Sequence, residues 1–181
     1  MGKGGIALVW HGINVQSGQQ VAMKQFPKTS GKFDSSAGVE IQVQSLLRET
    51  IDRIPNGVAA GENLCLLLDY VEDKKDLWLI YELCQGKTMN EALFEVKGEF
   101  YKGERIYMVH HSNLYHIIRN NLALMADFIK RMVDVLELFY QAGIVHADLK
   151  PDNILVDFDE ETQQIKSLKV IDLGSSFLLN S

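Results

Sequence analysis

Over the first 84 residues, apolar and β-branched side chains come in short runs broken by turn-forming residues. IALVW (6–10), VAMKQF (21–26), LCLLLDY (64–70) and LWLIYEL (77–83) have the length and composition of strands, while QSGQ and EDKKD carry turn chemistry. An antiparallel sheet is expected. In VEIQVQSLLRE, however, Val39, Val43, Leu46 and Leu47 recur at helical spacing, so one helix should lie among the strands. The period then changes. From Leu122 to Tyr140, the residues Met125, Phe128, Ile129, Met132, Val133, Leu136 and Phe139 fall on one helical face, with Asn121 as cap and Gly143 as stop. Two short strands, NILV and LKVID, follow, joined by the polar DFDEETQQIKS, and residues 95–120 read as a solvated loop and helix. A sheet-rich lobe and a helix-rich lobe thus meet near ELCQG (82–86), a junction of the kind that often holds a ligand.

Composition narrows the field. A net charge of -6 with mixed signs lacks the basic field of a nucleic-acid-binding protein. Two cysteines in apolar runs, Cys65 and Cys84, give no disulfide framework and fit a reducing compartment, cytoplasmic or nuclear. No stretch has the order of a signal peptide, and the charges Asp127, Lys130, Arg131, Asp134 and Glu137 exclude a membrane span from the long helix. Myristoylation at Gly2 is not expected, because Ile6 stands where a small hydroxyl residue would be needed.

Four stretches carry chemistry. In GKGGIALVW, Gly2, Gly4 and Gly5 allow close approach of backbone N–H groups to an anion. Lys24 ends VAMK among Val21, Ala22, Met23 and Phe26, where an ammonium needs a negative partner; Glu40 on the following helix can supply it. In IVHADLKPDNILV, Asp148 and Lys150 are two apart and can face one side of a loop, the carboxylate to receive a hydroxyl proton and the ammonium to neutralise phosphate. Asn153 offers an amide oxygen to a hard cation, and Asp172 in VIDLG places a carboxylate at a strand end beside a glycine.

With these in order, the chain resembles a eukaryotic protein kinase catalytic domain of the serine/threonine type along essentially its whole length. The resemblance implies an α+β, two-lobed kinase-like fold: an N-lobe at 1–84 lacking its first strand, a hinge at 82–84, and a partial, helical C-lobe at 85–181 that ends after Asp-Leu-Gly. It implies ATP and Mg²⁺ as cofactors and a protein Ser/Thr hydroxyl as acceptor, with no nucleic-acid or membrane partner. Gly2, Gly4, Gly5, Val9, Ala22, Lys24, Glu40, Leu155 and the hinge residues Glu82 and Cys84 would bind nucleotide, with Tyr81 at the gatekeeper position. Asp148 and Lys150 would be catalytic, and Asn153 and Asp172 would hold Mg²⁺. HADLKPDN with KVIDLGSS is similar to the dual-specificity tyrosine-regulated and homeodomain-interacting kinases.

The chain departs from the family pattern at several points. Ala7 replaces the third loop glycine, and Ala147 replaces the arginine that docks an activation-loop phosphate, so activation of that kind is not expected. Leu173 replaces Phe, and Gln44 stands where an apolar side chain is usual. The resemblance ends before an activation segment, so transfer to protein is expected to be impaired; the alternatives are a non-catalytic ATP-binding kinase fragment or regulatory pseudokinase, and a small-molecule kinase of related fold. His110, His111 and His116 lack ligand spacing for a metal.

Overall fold

The structure is a computed structural model and describes residues 8–28 and 35–179. Gly2, Gly4 and Gly5 lie outside these residues. Strands β1 (Leu8–Ile13), β2 (Gln20–Pro27), β3 (Leu67–Glu72) and β4 (Asp76–Glu82) form an antiparallel sheet in the order β1-β2-β4-β3. Alternation decides its faces. Leu77, Leu79 and Tyr81 of β4 are buried, and they pack with Phe26 and with Ala37 of helix α1 (Ser35–Arg53). On β2 the same two-residue period sends Ala22, Lys24 and Phe26 to one face, which lines the main cleft.

Helix α1 carries the expected apolar stripe, but three polar residues belong to it: Glu40, Gln44 and Thr50 are buried with Val43 and Leu47. A second helix, α2 (Gly57–Gly61), follows within the half predicted to hold one, so that expectation is corrected. Its Gly57-Val-Ala-Ala-Gly61 core is too short to show a helical period.

Past the sheet come β5 (Lys87–Thr88), α3 (Met89–Leu93), β6 (Phe94–Tyr101), β7 (Glu104–His111), α4 (Asn113–Asn120) and α5 (Leu122–Ala142). The loop expected at 95–120 is instead a β6–β7 hairpin in full register, Phe94↔His111 through Tyr101↔Glu104, before the expected helix. Its strands are exposed on both faces, so no alternation of burial marked them. Helix α5 begins and ends as expected: the Asn121 side chain accepts from Leu124 N at 3.1 Å, and Gly143 closes it at φ 66°. Its buried face differs. Leu124, Val135, Leu138 and Phe139 are buried, whereas Ile129, Val133 and Leu136 of the expected face are exposed.

The remaining elements are β8 (Ile144–Val145), a 3-10 turn (Pro151–Asn153), β9 (Ile154–Asp159), β10 (Gln164–Val170) and β11 (Phe177–Leu178). β9 and β10 form a hairpin that β5 joins, and β11 pairs with β8. The main core gathers Val43 and Leu47 of α1, the buried face of α5, β9–β10 and Leu173. Among the described residues no helix is long and apolar enough to cross a membrane.

Candidate functional site

Three segments distant in sequence converge on one ammonium. Lys24 Nζ lies 2.9 Å from Glu40 Oε2, 3.2 Å from Glu40 Oε1 and 2.8 Å from Asp172 Oδ1. Tyr81 donates its hydroxyl to Glu40 Oε1 at 2.6 Å. The pairing of Lys24 with Glu40 expected from composition is therefore present, with Tyr81 as an unforeseen third member. Glu40 is 2% exposed, so its charge is tolerable only because an ammonium and a phenol meet it. Burial works against the Lys24 charge, but Glu40 and then Asp172 more than offset it, and its pKa stands above that of an ordinary lysine. Burial, then Glu40, pushes the Tyr81 phenol upward.

The loop between β8 and β9 brings Asp148, Lys150 and Asn153 together. Lys150 Nζ sits 2.7 Å from Asp148 Oδ2, and Asn153 Nδ2 donates to Asp148 O at 2.8 Å and to Oδ2 at 3.0 Å. With the amide nitrogen spent on Asp148, the oxygen of Asn153 is the end that can meet a cation. Lys150's hydrogen bond holds the exposed Asp148 carboxyl below the usual aspartate range, and the same contact raises Lys150.

This loop is fastened to the Asp172 segment by His146. Its Nδ1 accepts from Asp148 N at 3.3 Å and its Nε2 faces Ile171 O at 3.3 Å, an arrangement that requires the tautomer with its proton on Nε2. Ile171 N also donates to Asn153 O at 3.0 Å. On either side of this contact, Ala147 (φ 63°) and Asp172 (φ 60°) adopt left-handed backbone. Side chains other than glycine take that conformation at a cost of roughly 1–2 kcal/mol, and at Asp172 it sets the residue into the place that Lys24 and Asn153 share.

That place is a cleft of about 750 Å³, a volume ordinary for small-molecule sites. Val9, Ala22, Lys24 and Glu40 line it from the sheet side, and Asn153, Leu155 and Asp172 from the other. Tyr81, Glu82 and Cys84 line its remaining wall. Asp148 and Lys150 are not among the wall residues but are tied to Asn153, which is. An amide oxygen and a carboxylate are hard donors of the type Mg²⁺ takes alongside phosphate and water, so the residues fit that ion. By contrast, His110, His111 and His116 form no group of three ligand atoms. His111 stacks on Tyr115 at 3.9 Å, and the only such cluster among the described residues is Cys65, Glu82 and Cys84.

A family model described as the protein kinase domain matches residues 1–181. The chain belongs to the protein kinase family. It is 27% identical over 176 residues to the mouse hormonally up-regulated neu tumor-associated kinase, covering 97% of this chain and 20% of that protein. It is 28% identical over 182 residues to the Drosophila melanogaster dual specificity tyrosine-phosphorylation-regulated kinase 2, with 97% and 20% covered. Mouse sperm motility kinase 2B is 29% identical over 178 residues, with 96% and 28% covered. The chain thus spans about a fifth of the length of the first two. Identities this similar do not separate one kinase group from another.

Within the kinase fold, Gln44 has a positioning role that the sequence did not show. Gln44 Nε2 donates to Cys65 O at 2.9 Å, and its Oε1 accepts from Leu67 N at 3.1 Å. This side chain, 4% exposed, fastens α1 to the start of β3 through two backbone groups, and so holds Glu40, one turn earlier, over Lys24. A polar residue inside an apolar helical stripe was the available signal.

Proposed function

We propose that this chain holds Mg-ATP between two lobes divided at 82–84 and transfers its γ-phosphoryl group to Ser/Thr hydroxyls of proteins. The observation that carries the reading is the convergence of Glu40 and Asp172 on Lys24 beside the cluster of Asp148, Lys150 and Asn153. Bound Mg-ATP supplies an electrophilic phosphoryl group and a metal that neutralises charge on the phosphates. Lys24, kept in place by Glu40, offers its ammonium to phosphate oxygens, and Asn153 and Asp172 offer oxygens to the metal. Asp148 orients the acceptor hydroxyl and takes its proton. Because Lys150 and Asn153 stabilise its anionic form, Asp148 is a weak base, suited to receive the proton late in transfer rather than to abstract it beforehand. Lys150 lies beside it to balance charge on the transferred group. A cytoplasmic or nuclear setting accords with two free cysteines.

The test pairs binding with turnover. Mg-ATP should raise the melting temperature of the chain, and Lys24→Met should abolish both that shift and phosphate transfer to a generic protein substrate. Asp148→Asn should retain binding and lose about 10²–10⁴ of the transfer rate, the usual contribution of a positioned base. Binding abolished by Lys24→Met with no transfer by the unaltered chain would sink the catalytic reading.

A further inference from the structure

The chain's two cysteines, nearly twenty residues apart in sequence, meet at the wall of the cleft. The β3–β4 ladder sets Leu67 opposite Tyr81, and Glu82 N continues it by donating to Leu66 O at 3.4 Å. Cys65 precedes that ladder and Cys84 follows it, so the two flank its open end. Both thiols reach the carbonyl of Glu82 at 3.8 Å, and their sulfurs lie within 4.8 Å of each other. Neither is fully buried, and both line the cleft, which gives a small oxidant a path to them.

The Glu82 carboxylate completes a group with ligand-like spacing, yet it is already engaged. Lys169 Nζ lies 2.8 Å from its Oε1, and Leu66 N donates to the same oxygen at 3.1 Å. An ammonium in that position opposes a second cation, so the geometry favours chemistry between the sulfurs over a metal centre.

We propose that Cys65 and Cys84 form a reversible disulfide across the hinge, and that the bond weakens nucleotide binding. The oxidant is a peroxide. The Cys84 thiolate attacks one peroxide oxygen, the O–O bond breaks, and the departing hydroxide takes up the proton released by Cys84, giving a sulfenic acid and water. The Cys65 sulfur then attacks the Cys84 sulfur, the S–O bond breaks, and the hydroxyl leaves as water with the Cys65 proton. Two thiols lose two electrons in all, and one peroxide is reduced to two waters. A small-molecule dithiol reverses the bond by exchange. The order of the two cysteines follows from their proximity: the neighbouring Cys65 sulfur holds Cys84 below the usual thiol range, while Cys84 and burial push Cys65 up.

Closing the bond draws the sulfurs to about 2.05 Å. Cys65 is held by its backbone, which donates to Val170 O at 3.0 Å, whereas residues 83–85 have no regular structure. The hinge therefore moves toward Cys65 and alters the wall that the nucleotide would meet. This second consequence rests on the nucleotide-binding reading above; the bond itself does not.

The experiment treats the intact chain with hydrogen peroxide and follows intact mass, titratable thiols and Mg-ATP affinity. The expected result is a monomer lighter by two hydrogens, with both thiols lost and Mg-ATP binding weakened by about tenfold, the effect of about 1.4 kcal/mol. Dithiothreitol should restore all three. Cys65→Ser and Cys84→Ser, checked for folding by circular dichroism, should each gain oxygen or dimerise instead of losing two hydrogens. Their Mg-ATP affinity relative to their own reduced forms should not fall as it does in the unaltered chain. Two thiols that remain titratable in folded, peroxide-treated protein would overturn the proposal, as would stoichiometric Zn²⁺ binding that protects both. A disulfide that leaves the affinity of a nucleotide-binding chain unchanged would overturn the regulatory half. A reduced chain that binds no Mg-ATP would defeat the function proposed above and leave the mass result to decide the bond.

Discussion

Gln44 meets two backbone groups at the start of β3, Cys65 O and Leu67 N. Gln44→Met keeps its length and removes both bonds, and an unmet buried polar group costs about 1–3 kcal/mol. Denaturant unfolding should show a loss of that size at the least, with an unchanged m-value. Tyr81 raises a different question, because its phenol and the Lys24 ammonium both have pKa values above their ordinary 10.0 and 10.5. Each therefore keeps its proton in the folded state when the unfolded chain would lose it. Their stabilising contributions are complete below about pH 10 and disappear as pH rises beyond it. Stability measured from pH 8 to 11 should fall over the last unit, and Tyr81→Phe should lessen the fall while lowering stability at neutral pH by about 1.5–3 kcal/mol, the worth of a hydrogen bond to a charged group. Of these residues, Lys24 and Glu40 were legible in the sequence because a cation in an apolar strand demands an anion. Tyr81 was read only as a position, since nothing in its neighbours indicates a carboxylate more than forty residues away.

At the scale of elements, two glycines separate backbone strain from collision. Gly143 closes α5 at φ 66° with open space where a Cβ would be, so Gly143→Ala should cost only the left-handed penalty of roughly 1–2 kcal/mol. Gly86, just past the hinge, has φ 103°, and an added Cβ would lie 2.3 Å from Val156 O on β9. Gly86→Ala should be the more damaging of the two in thermal unfolding, because the backbone of the hinge or of β9 must shift. The cap of α5 was readable from Asn121 and Gly143, whose roles are local. The capping box of α3 was equally readable in Thr88-Met-Asn-Glu91, where Glu91 N donates to Thr88 Oγ1 at 3.2 Å and Thr88 N to Glu91 Oε2 at 3.2 Å. The five-residue helix it opens is too short to show periodicity. The β6–β7 hairpin carried only a turn signal, Lys102-Gly103, where both residues take positive φ; with both faces exposed, its side chains were under no pressure to alternate.

For the molecule as a whole, the ion pairs of Lys24 join β2, α1 and the segment after β10, of which the sequence pointed only to the pairing of β2 with α1. A ligand that binds this junction only in the folded state adds stability by mass action. Mg-ATP at a hundred times its Kd should contribute about 2.7 kcal/mol, and chelating the metal with EDTA should remove most of that gain if Asn153 and Asp172 hold the ion. Asp172→Asn should mimic the chelator in the same melting experiment.

The sequence by itself determined which chemical groups are available and in what order, and it determined the local signals: strand runs, helix caps, and the need of Lys24 for an anion. These depend on neighbours a few residues apart. Only the tertiary structure decided which face of α5 is buried, since that helix is apolar over more than one face and its partners on α1 and β10 choose among them. It likewise decided that Gln44 belongs in the core and that the sulfurs of Cys65 and Cys84 come within 4.8 Å of each other. Such pairings arise from the crossing of distant segments, and the burial that makes them matter exists only once the chain has folded.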